Sequence, residues 1–308
     1  MSRLADSIRR GEFRALARAL SAVENRSAGS ARLLAELHGT RSAALRIGIT
    51  GPPGVGKSTL VDCIARELRR DGASVGILAV DPSSPFSGGA VLGDRVRMQR
   101  HHADAGVYIR SMAARGQLGG LAPAVGDAVT LLEASGRDAV VIETAGVGQS
   151  EIDVVQIAQT VAVVLAPSLG DDIQAAKAGI MEIADVFVIN KADQPGADEL
   201  ERQILGMLAL VPPGKARPPV LRTAASRCEG VAELVATLRQ GGRGPFAAGY
   251  WKRLLVKRLG GELQAMLLEG AVPGVDLDLA AREIAAGDLN PYDYTAEILG
   301  RLRQQWKR

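Results

Sequence analysis

Over the first 37 residues apolar side chains recur every three or four positions, as in Phe13, Leu16, Ala17 and Leu20, with Arg and Glu between them. That period predicts amphipathic helices, broken near Ser27-Ala28-Gly29-Ser30. From Leu45 the pattern changes to short apolar runs at 45–50, 75–80, 107–110, 139–143, 161–166, 186–190 and 220–224, separated by helix-compatible stretches. Runs that are apolar at consecutive positions predict strands covered on both faces, hence a mostly parallel, doubly wound α/β sheet. After Gly241-Gly242-Arg243-Gly244-Pro245 the strand pattern stops, and 250–268, 277–286 and 294–306 read as helices. The expected organisation is an N-terminal helical extension over 1–40, an α/β domain over 41–242 and a helical arm over 243–308.

The first predicted strand runs into Gly51-Pro52-Pro53-Gly54-Val55-Gly56-Lys57-Ser58-Thr59, which matches GxxxxGK[ST] in full, and a helix-compatible stretch follows. Glycines let such a loop wrap phosphate oxygens, with backbone N–H groups pointing inward at a helix N-terminus. Lys57 is the candidate contact for the β- and γ-phosphates, and the Ser58 hydroxyl the candidate Mg²⁺ ligand. A metal beside the phosphates needs an acid at another strand end. The strand 139–142 ends in Glu143, followed by Thr144-Ala145-Gly146, whose glycine leaves an N–H free to meet a γ-phosphate. Asp81, after the strand 75–80, is a second candidate for the Mg²⁺ water shell, with a turn cap before Pro82 as the alternative.

Base identity is read further on, where 186–189 ends in Asn190-Lys191-Ala192-Asp193. A carboxylate accepts two N–H bonds from the guanine edge, a donor pair adenine lacks, and a lysine stem can lie along the ring. After a P-loop and directly after a strand, NKAD favours GTP over ATP. Ala224, Ala225 and Ser226, at the end of the last predicted strand, are expected to bring backbone near the guanine O6.

Composition narrows the picture. Aromatic residues make up 3% of the 308, too few for a base-stacking platform. The net charge of +3 comes from the two ends of the chain, where Trp251-Lys252-Arg253 and 301–308 suit either an acidic partner or an ordinary solvated helix face. Neither feature makes a case for nucleic acid. No apolar run approaches the ~18 residues of a membrane span, and the first residues lack the apolar core of a signal peptide. Cys63 and Cys228 are far apart and fit neither a CxxC pair nor a disulfide framework, so free thiols in a reducing compartment, the cytoplasm, are expected. Neither the adjacent His101-His102 pair nor His38 has partners at metal-ligand spacing.

With these residues in place the chain resembles the MeaB/ArgK family of P-loop GTPases, accessory proteins of adenosylcobalamin-dependent acyl-CoA mutases. The resemblance rests on GPPGVGKSTL (51–60), LAVDPSSPFSGGAVLGDRVRM (78–98), ETAGVGQSE (143–151), GDDIQAAKAGIMEIAD (170–185), NKAD (190–193) and DLNPYDYTAEIL (288–299). It implies a homodimer formed through the C-terminal arm, GTP/GDP and Mg²⁺ as ligands, and slow GTP hydrolysis that gates cofactor loading or protects the mutase. Carried over by position, Lys57, Ser58 and Thr59 serve phosphate and Mg²⁺; Asp81, Asp94 and Glu143 serve the metal or its waters; Asn190, Lys191 and Asp193 serve guanine. Gly146 to Glu151 looks like a switch loop, and Gly170 to Lys177 like a second segment near the mutase. The usual SAxxGEG appears here as Ala224-Ala225-Ser226-Arg227-Cys228-Glu229-Gly230, a departure in the guanine contact.

In-line attack of water on the γ-phosphate relies on positioning and charge neutralisation. Gln149 is the candidate for orienting that water, with a structural amide as the alternative. Arg95, Arg97 and Arg115 are candidates for an arginine finger, or for ordinary surface pairing. Two other functions share the P-loop: a nickel-insertion GTPase, whose relatives carry His-rich tracts that three histidines do not match, and a transport-associated kinase or ATPase, against which NKAD argues.

Overall fold

The computed structural model describes residues 2–38, 44–81, 104–113, 123–146, 150–167, 182–212, 217–241 and 248–305. The expectations placed on Asp94, Arg95, Arg97, His101, His102, Arg115, Gln149 and 170–177 lie outside them, as does the side chain of Asp81. The chain forms two compact units, Met1–Ala247 and Ala248–Arg308.

The first unit opens with α1 (Arg3–Arg9), α2 (Phe13–Glu24) and α3 (Ser30–Leu37). Ser2 caps α1 by accepting from the Ala5 N–H. The helical pattern breaks once more than the periodicity indicates, at Gly11, whose left-handed φ of 74° turns the chain between α1 and α2. Strand β1 (Leu45–Thr50) leads into α4 (Lys57–Arg70), followed by β2 (Val75–Asp81), β3 (Val107–Ala113), α5 (Pro123–Ala134), β4 (Ala139–Glu143), α6 (Ser150–Ile157) and β5 (Thr160–Leu165). The unit continues with β6 (Val186–Ile189), α7 (Ala197–Ala209), β7 (Val220–Arg222) and α8 (Val231–Gln240).

The seven strands pair in parallel in the order β3-β2-β4-β1-β5-β6-β7. Every residue of β4, β5 and β6 is buried, as continuous apolar runs require of central parallel strands. On one face Ile47, Ile49, Ile77, Val141 and Val188 form a core with Leu60, Ile64 and Leu68 of α4 and Leu234, Val235 and Leu238 of α8. Burying each such Leu or Ile contributes about 1.5–3 kcal/mol before chain entropy is set against it. On the other face a Cβ at Gly48 would lie 2.7 Å from Val154 of α6, and one at Gly76 2.9 Å from Leu132 of α5. Chain winding reverses beside β1, between β2 and β3 on one side and β5 to β7 on the other. At such a switch the carboxyl ends of the strands leave a crevice.

One expectation is corrected. Cys63 on α4 and Cys228, in the turn after β7, are joined as a disulfide with their Cα atoms 5.5 Å apart, although they are 165 positions apart in sequence. Separation along the chain does not measure distance across a sheet: α4 and α8 pack on the same face, which carries the turn preceding α8 over α4. Joined as a pair, the two cysteines no longer point to a reducing compartment.

The second unit holds α9 (Ala248–Leu268), α10 (Leu277–Ala286) and α11 (Pro291–Gln305) around a small core of Val272, Val275 and Ile298. Asp276 caps α10 by accepting from the Leu279 N–H at 2.9 Å. Asn290 accepts from Tyr292, and Pro291 stands at the first position of α11, where its missing N–H costs nothing. Among the described residues no helix is long and apolar enough to cross a membrane.

Candidate functional site

The loop between β1 and α4 follows the carboxyl end of the central strand. At Gly51 (φ 139°) any Cβ would collide with the Val164 carbonyl oxygen of β5, and at Gly56 (φ 92°) it would lie 2.6 Å from Asn190 Nδ2. Both positions therefore demand glycine on space as well as on dihedral angle. Val55 is fully buried, and Pro53, Gly54 and Thr59 face outward. The first N–H groups of α4 lack partners within the helix and suit an anion.

Lys57, buried, donates from Nζ to the carbonyl oxygens of Gly51 (2.7 Å) and Pro52 (2.9 Å). Ser58 Oγ donates to Glu143 Oε1 at 2.7 Å, and both residues are buried. The β1–β4 register sets Ile49 beside Glu143, which brings together two residues 85 positions apart. Beyond Glu143, the Thr144 N–H donates to Ile49 O (3.0 Å) and the Thr144 hydroxyl to Thr50 Oγ1 (2.9 Å). The chain then reaches Gly146 (φ 83°), where a Cβ would collide with Gly51 O and approach Lys57 Nζ to 2.5 Å. The segment after β4 thus lies backbone to backbone on the phosphate loop. Asp81 ends β2, the neighbour of β4, on the same edge.

The second end of the site centres on Asn190, 1% exposed after β6. Its Nδ2 donates to Val55 O (2.8 Å), and its Oδ1 accepts from the Thr223 hydroxyl and the Ala225 N–H, each at 3.1 Å. Lys191 takes a left-handed φ of 57° and donates from Nζ to Gly54 O at 2.8 Å. Asp193 Oδ2 lies 3.5 Å from Arg227 Nη1, and Arg227 also pairs with Glu229. Hydrogen bonds from Arg227 hold the Glu229 carboxyl below its usual range. Ala224 and Ala225 are buried and Ser226 is exposed, in a turn closed by an Ala224–Glu229 bridge.

The structure therefore brings 51–58, Glu143, Gly146, Asn190, Lys191 and 224–225 to one edge, with Asp81 at the end of β2. The Thr50–Thr144 hydroxyl pair, Thr223 and Arg227 escaped the sequence reading. The signal for the three threonines is a hydroxyl at the carboxyl end of a strand, Thr50 as its last residue and Thr144 and Thr223 just after it; none pointed to Arg227.

Comparison with known proteins gives the family. The sequence model of the family described as methylmalonyl-CoA mutase-associated GTPase MeaB matches residues 16–259. A Pyrococcus abyssi protein named as an inferred GTPase is 42% identical over 307 residues, spanning 96% of this chain and 95% of that one. The mouse protein named methylmalonic aciduria type A homolog, mitochondrial, is 40% identical over 200 residues, 63% of this chain and 48% of its own. A crystal structure titled LAO/AO transport system kinase matches with a TM-score of 0.66 at 25% identity, covering 97% of this chain and 96% of the other.

Proposed function

The chain belongs to the MeaB family and is a GTPase, and from that premise we propose that it is the G-protein chaperone of an adenosylcobalamin-dependent acyl-CoA mutase, gating cofactor delivery and protecting or reactivating that enzyme. The family's description, which names a mutase, supports the partner. One observation carries the link from hydrolysis to signalling: the Gly146 backbone lies so close to Lys57 and Gly51 that a Cβ has no room. A segment in that position changes its contacts when a γ-phosphate arrives or leaves.

In this reading the loop Gly51 to Gly56 and Thr59 line the phosphates, with the N–H groups of Gly54, Val55 and Gly56 as donors because Pro52 and Pro53 have none, and Lys57 moves its Nζ from loop carbonyls to the β- and γ-oxygens. Ser58 Oγ and Glu143 Oε1 are adjacent hard oxygen donors beside a glycine-lined loop, a set that fits Mg²⁺ and its waters. Those two residues, with Asp81 and Asp94, hold the ion, which supplies charge neutralisation at the phosphates. Gly146 donates its N–H toward the γ-phosphate, and Gln149 orients the attacking water. Lys191 lays its stem along the guanine ring, Asp193 accepts the two ring-edge protons, Ala224 to Ser226 face O6, and Asn190 holds loop, strand and turn together.

The deciding experiment is GTP turnover by the purified protein with and without each adenosylcobalamin-dependent acyl-CoA mutase of its source, with ATP as control. Stimulation by one mutase and inertness toward ATP are expected. Unchanged GTP turnover with every mutase removes the chaperone role and leaves the GTPase; ATP turnover favours the transport-kinase alternative.

A homodimer through the C-terminal unit belongs to the same proposal. Leu255, Leu259 and Met266 are exposed at helical spacing along one side of α9, an apolar stripe that association would cover. Light scattering is expected to return twice the chain's 32.2 kDa, and a monomer mass overturns it.

A further inference from the structure

The two cysteines take no part in the chemistry above, yet they sit where the two ends of the site meet. Cys63 lies on α4, whose first residues are Lys57 and Ser58, and is 3% exposed. Cys228 occupies the turn 224–229 with a left-handed φ of 54°. In that turn the Ala225 N–H donates to Asn190, and Asn190 donates to Val55 in the phosphate loop that opens α4. A path from α4 through Val55, Asn190 and Ala225 reaches Cys228, and the disulfide returns it to α4. This ring joins the phosphate loop to the base turn, and the bond between the sulfurs is its one covalent cross-link.

The two sulfurs differ in access. Cys63 Sγ is enclosed, 3.2 Å from Ala225 O. Cys228 is only partly buried, and the exposed Arg66 guanidinium lies 3.4 Å from its Sγ. A cation beside sulfur favours the thiolate that attacks or leaves in exchange, so exchange with small thiols begins at Cys228.

We propose that Cys63 and Cys228 are a reversible oxidation site that controls how tightly the base end holds guanine nucleotide, a regulation that rests on the nucleotide reading given above. To close it, the Cys228 thiolate attacks a small disulfide of the glutathione class and releases one thiol. Cys63 thiolate then attacks the Cys228 sulfur of the mixed disulfide and releases the second thiol. The two protein thiols lose two electrons and two protons, and the small disulfide gains both. A dithiol reverses the sequence. In the reduced protein the ring keeps its hydrogen bonds and the apolar packing of Val55, Cys63 and Ala225 but loses its cross-link, so the turn opens more often and nucleotide leaves faster.

The test uses the full chain, oxidised with glutathione disulfide or reduced with dithiothreitol, and reads alkylation mass and the release rate of a fluorescent N-methylanthraniloyl GDP. The oxidised chain is expected to take no alkyl group and the reduced chain two. Release is expected about threefold or more faster after reduction, the size of a modest change in local opening. Cys228→Ser is expected to release at the reduced rate and to ignore dithiothreitol; if that variant fails to fold, the wild-type pair still decides. Two alkyl groups in both preparations overturn the proposal, as do equal release rates, and in the latter case GDP binding keeps the nucleotide reading intact. Absence of GDP binding in both forms, with the fold unchanged by circular dichroism, overturns the nucleotide reading and the proposal together.

Discussion

The two edges of the central sheet carry similar polar inventories and use them differently. At the amino edge several charges meet partners on neighbouring elements. Arg46 pairs with Glu133 at 2.9 Å with both side chains largely buried, Asp138 accepts from the Ser74 N–H and hydroxyl at 2.7 Å each, and Arg69 grips Asp104 through two 2.9 Å bonds. At the carboxyl edge Lys57 donates to two carbonyls of its own loop, and Ser58 and Glu143 face each other beside a glycine-lined backbone. Parallel strands explain the asymmetry, because helix N-termini and their N–H donors collect at the carboxyl edge alone. A buried charge is therefore a poor marker of function by itself; one beside backbone with no room for a Cβ is a good one.

Substitutions at the two edges are expected to separate chemistry from stability. The largest effect belongs to Lys57→Ala, expected to lower GTP turnover by about 100-fold or more with little change in melting temperature; full turnover breaks the assignment of the carboxyl edge. Next, Arg46→Ala strands the Glu133 carboxyl, at an expected cost of about 3 kcal/mol in chemical denaturation with GTP turnover per folded molecule unchanged. Burial already raises the Glu133 carboxyl above its usual range, and Arg46 opposes that. A raised folded value means a contribution present at low pH and lost as pH rises through it, so the deficit of Arg46→Ala should narrow as the solution is acidified.

Asn190→Ala spans both categories. It removes three buried hydrogen bonds, so about 2 kcal/mol of stability and a weakened GDP affinity by titration calorimetry should be lost together; loss of stability alone makes Asn190 a structural residue. The smallest effect is that of Asp138→Asn. The bonds from Ser74 hold the Asp138 carboxyl below its usual range, so its contribution is present above the ordinary aspartate value and lost as pH falls through the lowered one. On this exposed group solvent screening leaves less than about 1 kcal/mol, visible as a gap between variant and wild type at neutral pH that closes in acid.

Much of the carboxyl edge was legible in the sequence because its devices are local. A strand, a glycine loop and a helix start lie within 45–70, and an apolar strand followed by NKAD lies within 186–193. The strands were legible for the same reason, with shifts of one to three residues at their ends, the largest in β3, which runs on to Ala113. What stayed hidden depends on register and crossover: Arg46 with Glu133, Arg110 of β3 with Glu24 of α2 at 2.6 Å, and Cys63 with Cys228. Each partner lies 85 or more residues from the other, and nothing in composition or period encodes which strand becomes a neighbour. Arg227 beside Asp193 shows the same limit over a shorter distance.

The strand order also bears on how the molecule is made. β1 is made before every other strand of its sheet, yet its neighbours, β4 and β5, begin only at Ala139 and Thr160. At about 5–20 residues per second, Leu45 to Thr50 waits on the order of ten seconds with neither edge paired. During that interval the nascent chain presents an apolar strand to solvent, so the residues that lead into the glycine-rich loop are also the ones for which a holding chaperone matters most during synthesis.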